Sequence, residues 1–309
     1  MNTKSFFTLV ERETWEHRGL VWVPVITAAL IVLAAIISSN VSGSIRLDVE
    51  LDGESSAFFA RLATDEVAQA RLFSIWMGSI GLPVLVITII VLFFYLLDAL
   101  YAERKDRSIL FWKSMPVSDS ATVLSKLFTS MVAIPLWVWA VSLVMGLLTF
   151  LIIALKVSGT PIAPLGKFHL GAWLVLQVTL LQNLLLASLW YAPIAGWLLL
   201  VSVWAKRAPF LWAVLPPALV MLFEEIIFNT EHVAYLIGYR LTHYFESASM
   251  GFNVETGAGS QVIFDSIKNT YEGMSAASLL AEPHLYSGLA VAAIFVLLAI
   301  RLRRWRDDA

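Results

Sequence analysis

The sequence predicts an all-α polytopic membrane protein with six transmembrane helices and an N-terminal interfacial amphipathic helix. Three observations predict it. The 309 residues are 59% hydrophobic and only 14% charged, with a mean hydropathy of +0.78, whereas soluble domains average about 45–50% apolar and about 25% charged. A chain this size needs a solvated surface that so few charges cannot supply, which excludes a soluble globular enzyme. Six stretches lack Asp, Glu, Lys and Arg, at 19–45, 72–97, 127–155, 168–205, 208–223 and 283–300. The few charges also sort by side once the chain is threaded six times with its N-terminus inside.

Each element follows from these patterns in order. Residues 1–18 form a short approach with Phe6, Leu9 and Val10 on one side and Glu11, Arg12 and Glu13 on the other. Thr8 and Glu11 have the spacing of a capping box, and such a segment is expected to lie along the cytoplasmic interface. Glu11, Glu13 and Glu16 make a poor signal-peptide start, so the first apolar stretch reads as an uncleaved span. A span needs about 20 apolar residues, which places spans at about 20–38, 77–98, 130–155, 180–205, 208–228 and 284–301. The fourth stretch is long enough to suggest a split at Pro193, and an interfacial lead-in from 168 to about 180 is the alternative. With six spans, 14 of the 21 basic residues and 9 of the 23 acidic ones lie inside, a balance of +5 inside and −7 outside. Seven spans would put the basic run 301–306 outside, against the positive-inside rule. The chain is therefore one transmembrane domain over 1–309, with a charged inner loop at 99–126 and exterior segments at 39–71 and 229–282.

Cysteine is absent, which excludes disulfides, thiolate metal sites and a cysteine nucleophile. A net charge of −2 carries no signal of a nucleic-acid partner. The most informative segment is the inner loop. Glu103-Arg104-Lys105-Asp106-Arg107 leaves the second span as five consecutive charges, followed by the apolar patch 109–112 and then Lys113, Ser114, Pro116, Val117 and Ser118. Pro116 forces a turn, and Ser118 or Asp119 is placed to cap the helix that leads through Lys126 into the third span. Acidic Glu103 and Asp106 within the run are not what headgroup binding selects, so the loop reads as a docking element.

This loop, with Glu103, Arg104, Arg107, Ser114, Pro116, Val117 and Ser118 ahead of Lys126, resembles the intracellular loop of permeases of the export-type (second-class) ABC transporter superfamily. The resemblance extends to the amphipathic N-terminus, the six spans and the large exterior segment between spans five and six. It implies that those seven residues form the surface coupled to a separate cytoplasmic ABC ATPase subunit. It also implies a second permease copy or paralogue, a plasma (cytoplasmic) membrane location in a bacterium, both termini cytoplasmic, and contact with membrane lipids. No Gly-x-x-x-x-Gly-Lys-Ser/Thr loop is present. The chain is therefore expected not to be an enzyme and to bind no cofactor directly, with ATP and Mg held by the ATPase.

Other candidates are fewer. Glu224 and Glu225 lie about 26 Å along the fifth helix from its start at 1.5 Å per residue, near the exterior interface, as candidates for a translocation path or as water-facing residues at the end of the apolar run. The same pair imitates the start of the CAAX-type intramembrane protease motif, but Asn229 stands where that motif needs Arg. Asp98 ends the second span, as a boundary residue or a partner for Arg104. Glu231, His232, His243 and Glu246 lack the close spacing of a metal site. An ion- or proton-coupled secondary carrier is the alternative to the ABC reading. It would want ionisable groups near mid-membrane, of which the sequence has almost none, and an inverted repeat, which it lacks. Ser188, Ala192 and Gly196, and Gly288 with Ala292, form small-residue faces for close helix contact, within the chain or across a dimer. Pro24, Pro83, Pro135, Pro193, Pro216 and Pro217 fall inside spans and are expected to bend them. Tryptophans such as Trp15, Trp22 and Trp305 cluster toward span ends, as interfacial belts do.

Overall fold

A computed structural model describes residues 3–42, 64–114, 117–158, 167–248 and 276–305. Among them there is no strand. Among the described residues six helices are long and apolar enough to cross a membrane, so the fold is an all-α polytopic membrane bundle. The helices are α1 Thr3–Glu16, α2 Gly19–Ser42, α3 Glu66–Asp98, α4 Tyr101–Lys105, α5 Ser108–Ser114, α6 Asp119–Phe128, α7 Ile134–Val157, α8 Leu170–Trp190, α9 Ala192–Trp204, α10 Pro209–Phe228, α11 His232–Ala248, α12 Ala276–Ala281 and α13 Pro283–Trp305.

Cross-helix contacts give the relative directions of the first three spans. Trp137 Nε1 donates to the Val21 carbonyl at 3.1 Å and Lys156 Nζ to the Ala35 carbonyl at 2.7 Å, so α2 and α7 run parallel. A Cβ at Gly146 would sit 3.1 Å from Met77, and Phe150 meets Phe73 edge-on at 5.3 Å, so α3 runs antiparallel to α7. Alternation of this kind is what short connections between successive spans require. The core fills the centre, where Val84, Leu100, Val123, Ile134, Leu199 and Ala299 are all buried in one cluster. By contrast, Phe7, Trp15 and much of α10 keep their apolar side chains exposed, as expected where lipid rather than protein is the neighbour.

The prolines act differently from one another. Pro193 lacks the N–H that would bond Leu189, and the helix breaks there at Tyr191. Bonds from Tyr191 N to the Ala187 carbonyl (2.8 Å) and from Ala195 N to the Tyr191 carbonyl (3.1 Å) carry the chain through the elbow. The fourth apolar stretch is thus one bent element. The 13-residue α9 is too short to cross alone, in keeping with six spans rather than seven. Pro135 is handled by a π-helical turn at Thr129–Ala133 that joins α6 to α7 into one long rod. A π turn widens the helix by one residue and makes room where a proline ring would clash with the carbonyl four residues back. Pro24, Pro83, Pro216 and Pro217 sit inside helices without interrupting them.

Two expectations about the N-terminus are corrected. Thr8 lies in the middle of α1 and donates to the Lys4 carbonyl at 2.9 Å, so no capping box forms with Glu11. Glu13 is not on a solvated face. It is 1% exposed and shares the buried side of α1 with Leu9 and Val10, as its spacing of four and three residues from them dictates. Helix α3 starts at Glu66, earlier than the expected span, because Asp65 caps it through the backbone N–H groups of Val67 and Ala68.

The small-residue faces meet within the chain. A Cβ at Gly196 would lie 3.1 Å from the Ala292 carbonyl and 3.2 Å from Phe295 Cβ, so α9 and α13 touch backbone to backbone. Gly288, one turn up α13 from Ala292, gives its space to the guanidinium of Arg240. That group lies 4.4 Å from the Trp190 ring and donates to the His284 carbonyl at 3.1 Å. Trp190 is fully buried and donates from Nε1 to the Arg240 carbonyl at 2.8 Å, anchoring α11 to the elbow.

Candidate functional site

The charged loop between α3 and α6 is built from two short helices whose ends are tied down. Helix α4 begins where Leu100 N and Tyr101 N both donate to the Ser202 hydroxyl, at 2.8 and 2.9 Å. Arg104 lies across the end of α9, donating from Nη2 to the carbonyls of Ser202 and Ala205, both at 2.7 Å. Those carbonyls lack partners in their own helix, and the negative end of its dipole favours a cation there. Arg107 then takes a left-handed φ of 56° and turns the chain into α5. Ser118 caps α6 by accepting from Ala121 N at 3.2 Å, with Asp119 in its first turn.

Behind this loop lies a buried charge network. Lys126, fully buried, points Nζ at both oxygens of Glu13, at 2.8 and 2.9 Å, and at Glu103 Oε1, at 3.1 Å. Tyr95 donates its hydroxyl to Glu13 Oε2 at 2.9 Å. Arg303 Nη1 reaches Glu103 Oε2 at 2.6 Å, and its Nε reaches Asp119 Oδ1 at 3.2 Å. Arg12 Nη2 lies 3.3 Å from both Glu13 and Glu103, with its guanidinium 3.7 Å from the Trp112 ring. At the buried centre Glu13, Glu103 and Asp119 therefore face Arg12, Lys126 and Arg303, drawn from α1, α4, α6 and α13, and the exposed Glu16 lies 3.2 Å from Arg12 at the rim. A neutral set of close pairs is what makes burial of these charges tolerable, since each ion alone would cost several kcal/mol to bury. Next to it His17, 4.0 Å from Glu13, has its pKa lowered, chiefly by burial.

The seven loop residues therefore divide. Glu103 and Arg104 are buried, at 6% and 3% exposure, and their charges face inward to the network and to α9. They hold the loop in place rather than present its surface. Arg107, Ser114 and Ser118 are exposed, and Val117 is half-buried. Pro116 lies outside the described residues. Asp98 does not pair with Arg104, whose guanidinium is turned to the carbonyls of α9.

Glu224 is a helix cap. Its carboxylate accepts from the Thr230 hydroxyl at 3.0 Å and from the backbone N–H of His232 and Val233 at 2.9 and 2.8 Å, closing the α10–α11 turn. Asn229 sits in that turn with φ 50°, its N–H on the Glu225 carbonyl. Glu225 is exposed. A carboxylate saturated by three donors is a poor general base, which weighs further against hydrolase chemistry at this pair. Among the described residues Glu231, His232 and His243 do not converge on a ligand-sized space. His243 instead stacks on Tyr239 at 4.2 Å, and the Glu246 side chain lies outside the described residues. Glu13, Glu16 and His17 do come within ligating distance of one another, but Glu13 is already engaged by Lys126 and Tyr95.

Sequence reasoning missed Glu13, Lys126 and Arg303 as members of one network. The only available signal was an acid at the i+4 position from Leu9 and a lysine preceding a span. No family model matches the chain, and no curated protein or solved structure does either. The functional reading therefore rests on the site itself.

Proposed function

We propose that the chain is the membrane-spanning permease subunit of an ATP-driven ABC exporter, coupled to a separate cytoplasmic ATPase. The observation that supports this most is the attachment of the loop. Buried ion pairs tie α4 to α1, α6 and α13, and Arg104 and Ser202 tie it to α9. A force applied to the outer face of such a loop reaches the helices that follow it without loss in a flexible linker. That is the mechanical requirement for a motor acting from outside the membrane. The charge balance of +5 on the loop side supports a cytoplasmic position for that face.

On this reading the contact surface is the exposed rim of Lys105, Asp106, Arg107, Ser114 and Ser118. Glu103 and Arg104 transmit from beneath it. ATP and Mg belong to the ATPase, and the protein functions with a second permease copy or paralogue. The test is affinity purification of the tagged chain from its native membranes. A co-purifying ATPase with Walker motifs is expected, and Arg107→Glu should reduce its recovery at least severalfold without lowering the melting temperature. Transport that is driven by an ion gradient and insensitive to vanadate would replace this reading with a secondary carrier.

A further inference from the structure

A groove of about 490 Å³ opens between α2, α3 and α10 at the charged end of the bundle. Its volume falls in the range of about 300–1,000 Å³ that small-molecule sites occupy. Its lining changes character along its length. His17, Asp98 and Tyr101 stand at the charged end, and Ile90, Phe94 and Phe210 line the end that runs into the apolar span. Eight residues of α3 separate Asp98 from Ile90, about 12 Å at 1.5 Å per residue. The occupant this shape fits is an amphiphile with its head at Asp98 and one hydrocarbon chain lying against Phe94 and Phe210.

The sign of the head follows from the local field. Asp98 is exposed and, among the described residues, has no ion-pair partner. It is the last residue of α3, where the helix dipole is already negative, and the last turn of α3 holds no basic residue. An acid in that place raises the negative potential, and a cation relieves it. His17, held toward its neutral form by burial, does not offset the charge. We infer that this groove binds a single-chain amphiphile carrying a protonated amine head, with Asp98 as the counter-ion. The inference rests on the membrane-spanning fold and goes beyond the ATPase reading, so either can fail without the other.

The experiment is equilibrium binding of radiolabelled dodecylamine to the purified full chain in phosphatidylcholine nanodiscs, with empty nanodiscs as the baseline and dodecanoic acid as the anionic comparison. Saturable binding of the amine near one per chain, with the acid at least about tenfold weaker, is expected. Asp98→Asn should weaken the amine about tenfold. Asp98→Lys should reverse the preference toward the acid, and a lysine at a helix C-terminus does not endanger folding. Ile90→Trp, which fills the apolar end, should abolish saturable binding of either probe. Equal binding of amine and acid, an unchanged affinity in Asp98→Asn, or no saturable binding because a second copy covers the groove would each overturn the assignment.

Discussion

Lys126→Met is the perturbation that isolates the buried network. Methionine matches the length of the lysine stem and carries no charge, so packing is nearly kept while one of three bases is lost. Lys126 is fully buried, and its Nζ is within 3.1 Å of both Glu13 and Glu103. Glu13 would then keep Tyr95 at 2.9 Å and Arg12 at 3.3 Å, and Glu103 would keep Arg12 and Arg303. Three acids would face two bases. Removing one member of a buried pair typically costs about 3–5 kcal/mol, because a charge is left uncompensated in low dielectric. At a few degrees per kcal/mol for a chain of this size, the melting temperature should fall by roughly 10 °C. The assay is intrinsic tryptophan fluorescence on heating in detergent, read against Glu13→Gln and the double variant. In the double variant the excess negative charge is gone, so it should recover part of the loss, giving a coupling of about 1–3 kcal/mol. A melting temperature within about 2 °C of the parent for Lys126→Met would mean that the network contributes nothing beyond packing. Strict additivity in the cycle would mean that Glu13 and Lys126 do not interact.

Other outcomes follow from single features. Gly196→Ala should cost about 1–3 kcal/mol through overpacking, despite alanine's better helix propensity, because the obstructing atoms are the Ala292 carbonyl oxygen and Phe295 Cβ, which cannot move without the α13 backbone; thermal unfolding checks this. Gly288→Ala should expel the Arg240 guanidinium from its place on Trp190, visible as a changed tryptophan emission, and Arg240→Ala in that background should then have little further effect. Glu224→Ala removes the cap of the α10–α11 turn and should raise protease sensitivity there, with a loss of about 1 kcal/mol. His17 has a folded pKa below its ordinary 6.5, so the stability gained by keeping it neutral is complete above pH 6.5 and is lost as pH falls through the folded value. The melting temperature should therefore decline faster with acidification in the parent than in His17→Gln.

The spans were legible because the bilayer imposes a length and a composition that local sequence must meet. The bend at Pro193 was legible for a local reason too, since a missing N–H acts on the carbonyl four residues back. The site was legible only in part. The run Glu103–Arg107 announced an ordered loop, and Ser118 announced its cap. That Glu103 faces inward was not visible, because its partner Arg303 lies 200 residues away and only the packing of α13 beside α6 brings them together. Glu13 was misplaced because two charged neighbours, Glu11 and Arg12, suggested a polar face. The helical period instead sets it over Leu9. Glu224 announced a charge at membrane depth, and what gives it work is a turn formed by residues six to nine positions further on.

The order in which the network's members leave the ribosome has a consequence for synthesis. Arg12 and Glu13 emerge first, Glu103, Asp119 and Lys126 midway, and Arg303 only when the last span is made. Until then Asp119 lacks its ion-pair partner and Glu103 has only Lys126 and Arg12, so the buried acids exceed their bases by one. That end of the bundle is therefore expected to gain its full stability only when the final helix arrives.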